Sequence, residues 1–459
     1  MVMVDFADFP LDIIYEILGH LSVEDIVQAR EVCQRLRQAT YQRSVWVNVY
    51  ERSDFLLQKG PLSSQSSMEL ECSLIRAAKI NRNWTSGKPT IYTRRRFPRT
   101  LPTYDFDSNV ISGRFLQLAE STGISWYDLE ADDIATPVLT YPCLSVVPMA
   151  GYLNHQVNAI GEGPHVVWVS FVSSTPRTIC VLKVDFINYT ANLHAKIPAI
   201  NCVGIKMNYD WLLPIREFSS PDDPIDLFHL PSCSTLYLPM HENVRNLSDL
   251  NCMNYVITSR YLYLMFSLRS ETLIDMYRLP TSPGAATSQS NLPKSHSGRY
   301  PHAISNLHLV EAHHDPPHST SSAGQQSRTT FLALVYVSRS PTTWTSKIGL
   351  HVFDAIVDST ETLTLTTRAQ TTLNVGIATT ALSLSASSGV CLAVTHSSPG
   401  PVILAHHIRR QQDSVWTMSV KALKLSEDFQ SRDMIAFDGF RGRLCLINGW
   451  TNIEILDYA

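Results

Sequence analysis

Seven times between residue 113 and the C-terminus, a short apolar or alternating run is followed, across a polar turn, by a second such run. The two sharpest copies are Gly113-Arg114-Phe115-Leu116-Gln117-Leu118 with Ile124-Ser125-Trp126-Tyr127-Asp128, and Gly442-Arg443-Leu444-Cys445-Leu446-Ile447 with Ile453-Glu454-Ile455-Leu456-Asp457. Each reads as a hairpin of two strands whose second strand ends in Asp, because side chains in an extended chain alternate between two faces and turns gather polar residues. Looser copies are Val166 to Val172 with Thr178 to Asp185, Trp211 to Ile215 with Pro224 to His229, and Tyr261 to Phe266 with Leu273 to Arg278. Phe331 to Val337 with Gly349 to Asp354, and Gly389 to Thr395 with Pro401 to His406, complete the set.

The hairpins start about 46 to 70 residues apart, and a four-stranded propeller blade takes about 40 to 50 residues before insertions. The widest interval holds the low-complexity passage 281–328, whose Ser, Pro, Gly and His composition predicts a disordered loop between strands. The expected architecture of residues 100–459 is therefore a seven-bladed β-propeller, with a six-bladed ring or a β-sandwich as the other readings of the same pattern. The last hairpin ends at the C-terminus, so a strand from upstream, sought within Thr100 to Val110, must complete its blade. Neither the Gly-His and Trp-Asp signature of WD repeats nor the paired glycines of kelch repeats occurs. Trp168, Trp211, Trp344 and Trp450 read as blade-packing residues.

The first fifty residues follow a different rule. Pro10 in Phe9-Pro10-Leu11 can open a helix without losing a needed donor. Ile14, Ile17, Leu18 and Leu21 then fall at i, i+3, i+4 and i+7, one stripe of a helix. Gly19-His20 ends it, and Ser22-Val23-Glu24-Asp25 supplies an N-cap with acids in the first turn. A second helix carries Ile26, Ala29, Val32, Cys33 and Leu36, and Val45-Trp46 closes a unit of three short helices. A unit of this size has trouble burying enough surface alone, so its apolar stripe requires a partner.

The order Phe9-Pro10-Leu11-Asp12-Ile13-Ile14, Ile17-Leu18, Leu21, Asp25-Ile26, Val32-Cys33, Arg37 and Val45-Trp46 resembles the F-box. The chain departs from that family at Leu36, where F-boxes often carry tryptophan, and leucine keeps the position apolar. The resemblance implies a substrate adaptor that binds the Skp adaptor of a cullin-RING ubiquitin ligase, with contacts centred on Pro10, Leu11, Ile14, Ile17, Leu18, Leu21, Ile26, Val32, Cys33, Leu36 and Trp46. For any one of these side chains, helix core and adaptor interface are both open. A non-degradative F-box scaffold and a propeller-fold hydrolase with a helical cap are the alternative functions. The chain as a whole is thus read as α+β and multidomain: a small α-helical F-box at 1–50, a helical and basic linker at 51–99, and an all-β domain at 100–459.

Composition narrows the setting. With 459 residues, 44% of them hydrophobic and 17% charged, and a net charge of −4, nothing recruits nucleic acid. The N-terminus lacks the basic and apolar regions of a signal peptide, and no run of about 18 apolar residues is present. Nine scattered cysteines without a CxxC pair fit reduced thiols, hence a cytoplasmic or nuclear protein. In that setting the sequons at Asn83, Asn188 and Asn246 are not glycosylated. Arg94-Arg95-Arg96 reads as a solvated connector, with nuclear import or phosphate contact as the functional readings. His313-His314-Asp315 with His318 has metal-binding residue types but sits in the low-complexity passage, and His406-His407 reads as one inward and one outward side chain. Asp222-Asp223-Pro224 is a turn signal. No GxSxG, Walker loop, HExxH or GxGxxG occurs, so no catalytic residue, metal or cofactor is expected, and the substrate site is left unassigned.

Overall fold

The computed structural model describes residues 9–459 apart from connecting segments. The longest of these are 99–107, 144–153, 158–164, 281–289, 314–326, 376–384 and 424–433. Five helices come first: α1 (Leu11–Gly19), α2 (Val23–Val32), α3 (Gln34–Ala39), α4 (Arg43–Arg52) and α5 (Ser67–Thr85). Pro10 precedes α1, and the Ser22 hydroxyl accepts the Asp25 amide at 3.2 Å to cap α2. The expected second helix is two helices, because Cys33 adopts an extended backbone between them. The expected helical continuation from Glu51 is likewise corrected. Among the described residues regular helix resumes at Ser67, after Gly60-Pro61, where Ser66 and Glu69 form a capping box.

Seven β-sheets follow. In chain order their strands are Ser108–Ile111, Phe115–Glu120, Gly123–Asp128 and Leu139–Pro142 in sheet 1, and Asn154–Val157, Val166–Ser174, Arg177–Asp185 and Thr190–Pro198 in sheet 2. Sheet 3 holds Cys202–Asn208, Trp211–Arg216, Ile225–His229 and Ser234–Leu238, with Ser290–Asn291 added in parallel at its edge. Sheet 4 holds Cys252–Ile257, Tyr261–Ser267, Thr272–Arg278 and Lys294–Tyr300. Sheet 5 holds Ile304–His313, Ser327–Arg339, Ser346–Val357 and Leu363–Val375, and sheet 6 Ser385–Ser387, Val390–Ser397, Gly400–Arg410 and Trp416–Leu423. Sheet 7 joins Met434–Asp438, Arg443–Asn448 and Asn452–Asp457 to Thr93–Pro98.

Each of the seven hairpins read from the sequence is the central pair of one sheet. First strands of successive sheets neighbour one another except between sheets 3 and 4, which are joined by the Asn208 side-chain amide donating to the Ile257 carbonyl at 2.6 Å. The first strand of sheet 1 lies beside that of sheet 7, so the ring closes as a β-propeller and not as a two-layer sandwich. Sheets 3 and 4 meet through a shared apolar cluster that includes Trp211, Leu213, Tyr255 and Ile257. Trp168 and Trp211 are buried between sheets as expected; Trp344 and Trp450 lie outside the described residues.

A further repeat is visible only in three dimensions. The amides of Leu129, Phe186, Leu230, Leu279 and Tyr458, each the residue after a third strand, donate to the carbonyls of Arg114, His165, Asp210, Arg260 and Gly442 just before the second strand. All five apolar side chains are buried. In sheets 1 and 7 the terminal Asp meets the Arg that opens the hairpin: Arg114 with Asp128 at 2.6 Å and Arg443 with Asp457 at 2.6 Å.

Two expectations change. The strand that completes sheet 7 is Thr93–Pro98, upstream of the expected window, and it is the basic run itself. Arg94 and Arg96 reach the buried Glu454 at 2.6 and 3.2 Å, while Thr93 and Arg95 reach Asp457 at 2.9 and 3.2 Å. These arginines therefore belong to a strand, not to a solvated connector. The low-complexity passage is only partly a loop, since Lys294–Tyr300 and Ile304–His313 are strands held by the buried Tyr300 and Ile304. His314 to His318 lie outside the described residues, as do the side chains of His406 and His407. Ser220 and Asp223 exchange hydrogen bonds in the expected turn.

Helix α5 joins the two parts. Its Leu70, Leu74 and Ala78 enter the core of α1–α4, and its Ile80 and Trp84 pack on Phe437, Leu444 and Tyr458 of sheet 7. Asn83, one of the three sequon asparagines, is buried, and its amide donates to the Thr90 and Tyr458 carbonyls at 2.7 Å. Gly442, at φ +63°, lets the chain turn where an added Cβ would sit 3.0 Å from Ile80.

Trp84→Ala should cost about 3–5 kcal/mol, read as a shift in the urea midpoint of the full chain. Burial works against the charged form of Asp457, but Arg443, Thr93 and Arg95 outweigh it and hold its carboxyl below the usual range. Its contribution is then complete above the unfolded value of about 3.9 and lost as pH falls through the lower folded value. Asp457→Asn should be less stable than the native chain at pH 6, and the gap should narrow steadily toward pH 3.

Candidate protein-docking site

The helical unit has a filled core. Ile14 and Leu18 of α1, Val23 and Ile26 of α2, Leu36 of α3, and Val45, Trp46 and Val49 of α4 are buried together with the three α5 side chains. The Trp46 indole donates to the Thr40 carbonyl at 2.7 Å, which satisfies its one polar atom inside the core. Arg30 fixes α2 to α5 by two parallel hydrogen bonds to Glu71, at 2.7 and 2.8 Å, while its Nε reaches Thr40. Glu71 raises the Arg30 pKa further, though burial opposes it.

Outside that core lies a second set of apolar side chains. In helix α1 Ile14 and Leu18 point inward, while Ile13 and Ile17 form an adjoining exposed stripe that Leu21 continues just beyond the helix, and Leu11, in the first turn on the side of Ile14 and Leu18, is exposed as well. Leu11 is 46% exposed and Val32, at the end of α2, 73%. Cys33 and Pro10 are exposed as well. Arg35 of α3 donates to the Phe9 carbonyl at 2.5 Å and so brings the start of α1 against α3, within a few residues of Val32 and Cys33. A shallow groove between α2 and α3, lined by Arg30, Cys33, Gln34, Arg37 and Tyr41, continues this face. Elsewhere on α1 the surface is polar, with Glu16 accepting from His20 at 3.2 Å and Arg52 at 3.3 Å.

The residues read from the sequence as adaptor contacts thus divide. Pro10, Leu11, Ile17, Leu21, Val32 and Cys33 are exposed, while Ile14, Leu18, Ile26, Leu36 and Trp46 are core. Ile13 and Tyr41, both about half exposed, were not among them. Ile13 was legible in principle, since it shares a stripe with Ile17 at i+4; Tyr41 has no periodic signal because it sits in a turn. Among the described residues no group of three or more His, Cys, Asp or Glu could hold a metal ion.

Charging the two classes should give opposite results. Ile26→Asp should unfold the helical unit, seen as lost helical circular dichroism, whereas Leu11→Asp should move stability by less than about 0.5 kcal/mol.

Residues 6–52 match the F-box-like family. No curated protein matches the chain. Among solved structures it is similar to the WD40 domain of SCAP from fission yeast, with 11% identity, a TM-score of 0.45, and 77% of this chain and 84% of that one covered. It is also similar to the WD40 domain of coronin from Toxoplasma gondii, with 10% identity, a TM-score of 0.41, and coverage of 81% and 87%.

Proposed function

We propose that this chain, an F-box-like domain followed by a β-propeller, is a substrate adaptor of a cullin-RING ubiquitin ligase. The exposed apolar side chains Leu11, Ile13, Ile17 and Leu21, with Val32 and Cys33, dock a Skp-type adaptor, and the propeller holds a target protein. The observation that carries this reading is the pairing of a filled core with an apolar face left outside it. An apolar stripe beyond what folding uses is a surface made for a partner.

On this reading the chain does no chemistry and binds no cofactor. It raises the effective concentration of a target lysine near a ubiquitin-charged enzyme. Helix α5 meets sheet 7 at Gly442, in the turn between its first and second strands. The helical unit therefore occupies the end of the ring that carries those turns, and the target binds at the opposite end, where second strands turn into third strands. The eight described cysteines are free thiols, in keeping with action in the cytoplasm or nucleus.

The test is capture of a Skp-type adaptor by the full chain and by Leu11→Glu and Val32→Glu variants. Each substitution at an interface hot spot should weaken binding by about 30-fold, the equivalent of about 2 kcal/mol, while circular dichroism stays native. Native-like binding by the double variant would remove the docking face, and no binding by the unaltered chain would remove the adaptor reading altogether.

A further inference from the structure

The helix that completes the F-box core and the strand that closes the propeller belong to one short stretch of chain. Helix α5 spans 19 residues without Gly or Pro, a rod of about 28 Å. Its first twelve residues supply Leu70, Leu74 and Ala78 to the helical core, and the rest supplies Ile80 and Trp84 to sheet 7. Two polar ties lock the halves to their separate partners: Arg30 with Glu71 at one end, Asn83 with the Tyr458 carbonyl at the other. Asn83 also holds the chain beyond the helix, accepting the Thr90 amide and donating to the Thr90 carbonyl at 2.7 Å. The Tyr92 amide then bonds the Asp457 carbonyl at 2.8 Å, and Thr93–Pro98 zips along Asn452–Asp457.

We propose that α5 and Thr93–Pro98 act as a single strap, so that propeller closure and the fold of the docking helices form one cooperative unit. Peeling the closing strand exposes Glu454, which is buried and neutralised by Arg94 and Arg96, and frees the anchor of α5. Loosening α5 in turn removes three side chains from the F-box core. Coupling of this kind is reciprocal: a protein bound on the α1 face tightens sheet 7, and a protein that pulls on the closing strand weakens the docking face. Ordinary two-domain chains place a flexible linker here, and such a linker transmits nothing.

Amide hydrogen exchange on the full chain tests this without any partner. Arg94→Ala with Arg96→Ala removes the cations over Glu454 and touches no helix. Exchange in 443–457 and in α1, α2 and α4 should then accelerate together by about tenfold, while sheet 4, between Cys252 and Arg278, keeps its native rates. Acceleration of sheet 7 with unchanged helices would overturn the proposal, and so would uniform acceleration that includes sheet 4, since the cooperative unit would then be the whole chain. Should that variant fail to fold, Leu74→Ala reads the coupling in reverse. It lies on the F-box half of α5, yet it should speed exchange in Thr93–Pro98, and native rates there would sink the strap.

Discussion

A buried carboxylate decides how this molecule closes. Glu454 lies in the last strand with almost no access to water, and an uncompensated ion there would be too costly to keep. Its compensation comes from Arg94 and Arg96, about 360 positions earlier in the chain. Asp457, three residues on and on the opposite face of the strand, receives Arg95 and Thr93 in the same manner and Arg443 from its own hairpin. An alternating strand with three successive arginines would be a poor core strand, yet it suits the outer edge of a sheet whose neighbour carries acids. Charge complementarity therefore selects which segment seals the ring.

That choice of segment constrains everything upstream. Because the seal begins at Thr93, the helix before it must end against sheet 7, and Trp84 does so with its ring 4.9 Å from that of Tyr458. The remaining length of α5 then projects from the ring and offers Leu70, Leu74 and Ala78 to whatever packs there. Four short helices with too little surface of their own complete a core around it. The F-box-like unit is thus bounded at residue 52 by sequence likeness but at Ala78 by packing.

Legibility in the sequence followed the range of the interactions. Hairpins are local, and all seven are readable because two apolar or alternating runs and a polar turn fall within about 25 residues of one another, four of them ending in Asp. Local pattern points to a closing strand downstream of residue 100, since nothing local in Arg94-Arg95-Arg96 announces a strand; its reason for being one is Glu454. The strands inside 281–328 are hidden on the same grounds, as Lys294–Tyr300 is polar along most of its length and is held by the ladder to Thr272–Arg278, by the Ser297 hydroxyl on Asp275 and by the buried Tyr300. Cys33 broke the second helix where apolar spacing ran on without a break, because the spacing of 26, 29, 33 and 36 reports a shared face and not a continuous backbone.

The exposed apolar face of the helical unit shows where periodicity stops being informative. In α1 apolar residues occupy two adjacent stripes, and a sequence cannot say which stripe turns inward. Packing settles it. Ile14 and Leu18 face α4 and α5, whose Val45, Trp46, Leu70 and Leu74 already fill the interior, so no space remains for Leu11, Ile13 and Ile17. Five of the eleven residues taken as contacts therefore serve the core and six the surface. The two roles are nonetheless linked, because the inward stripe fixes the rotation of α1 about its axis, and that rotation is what turns Ile13 and Ile17 outward.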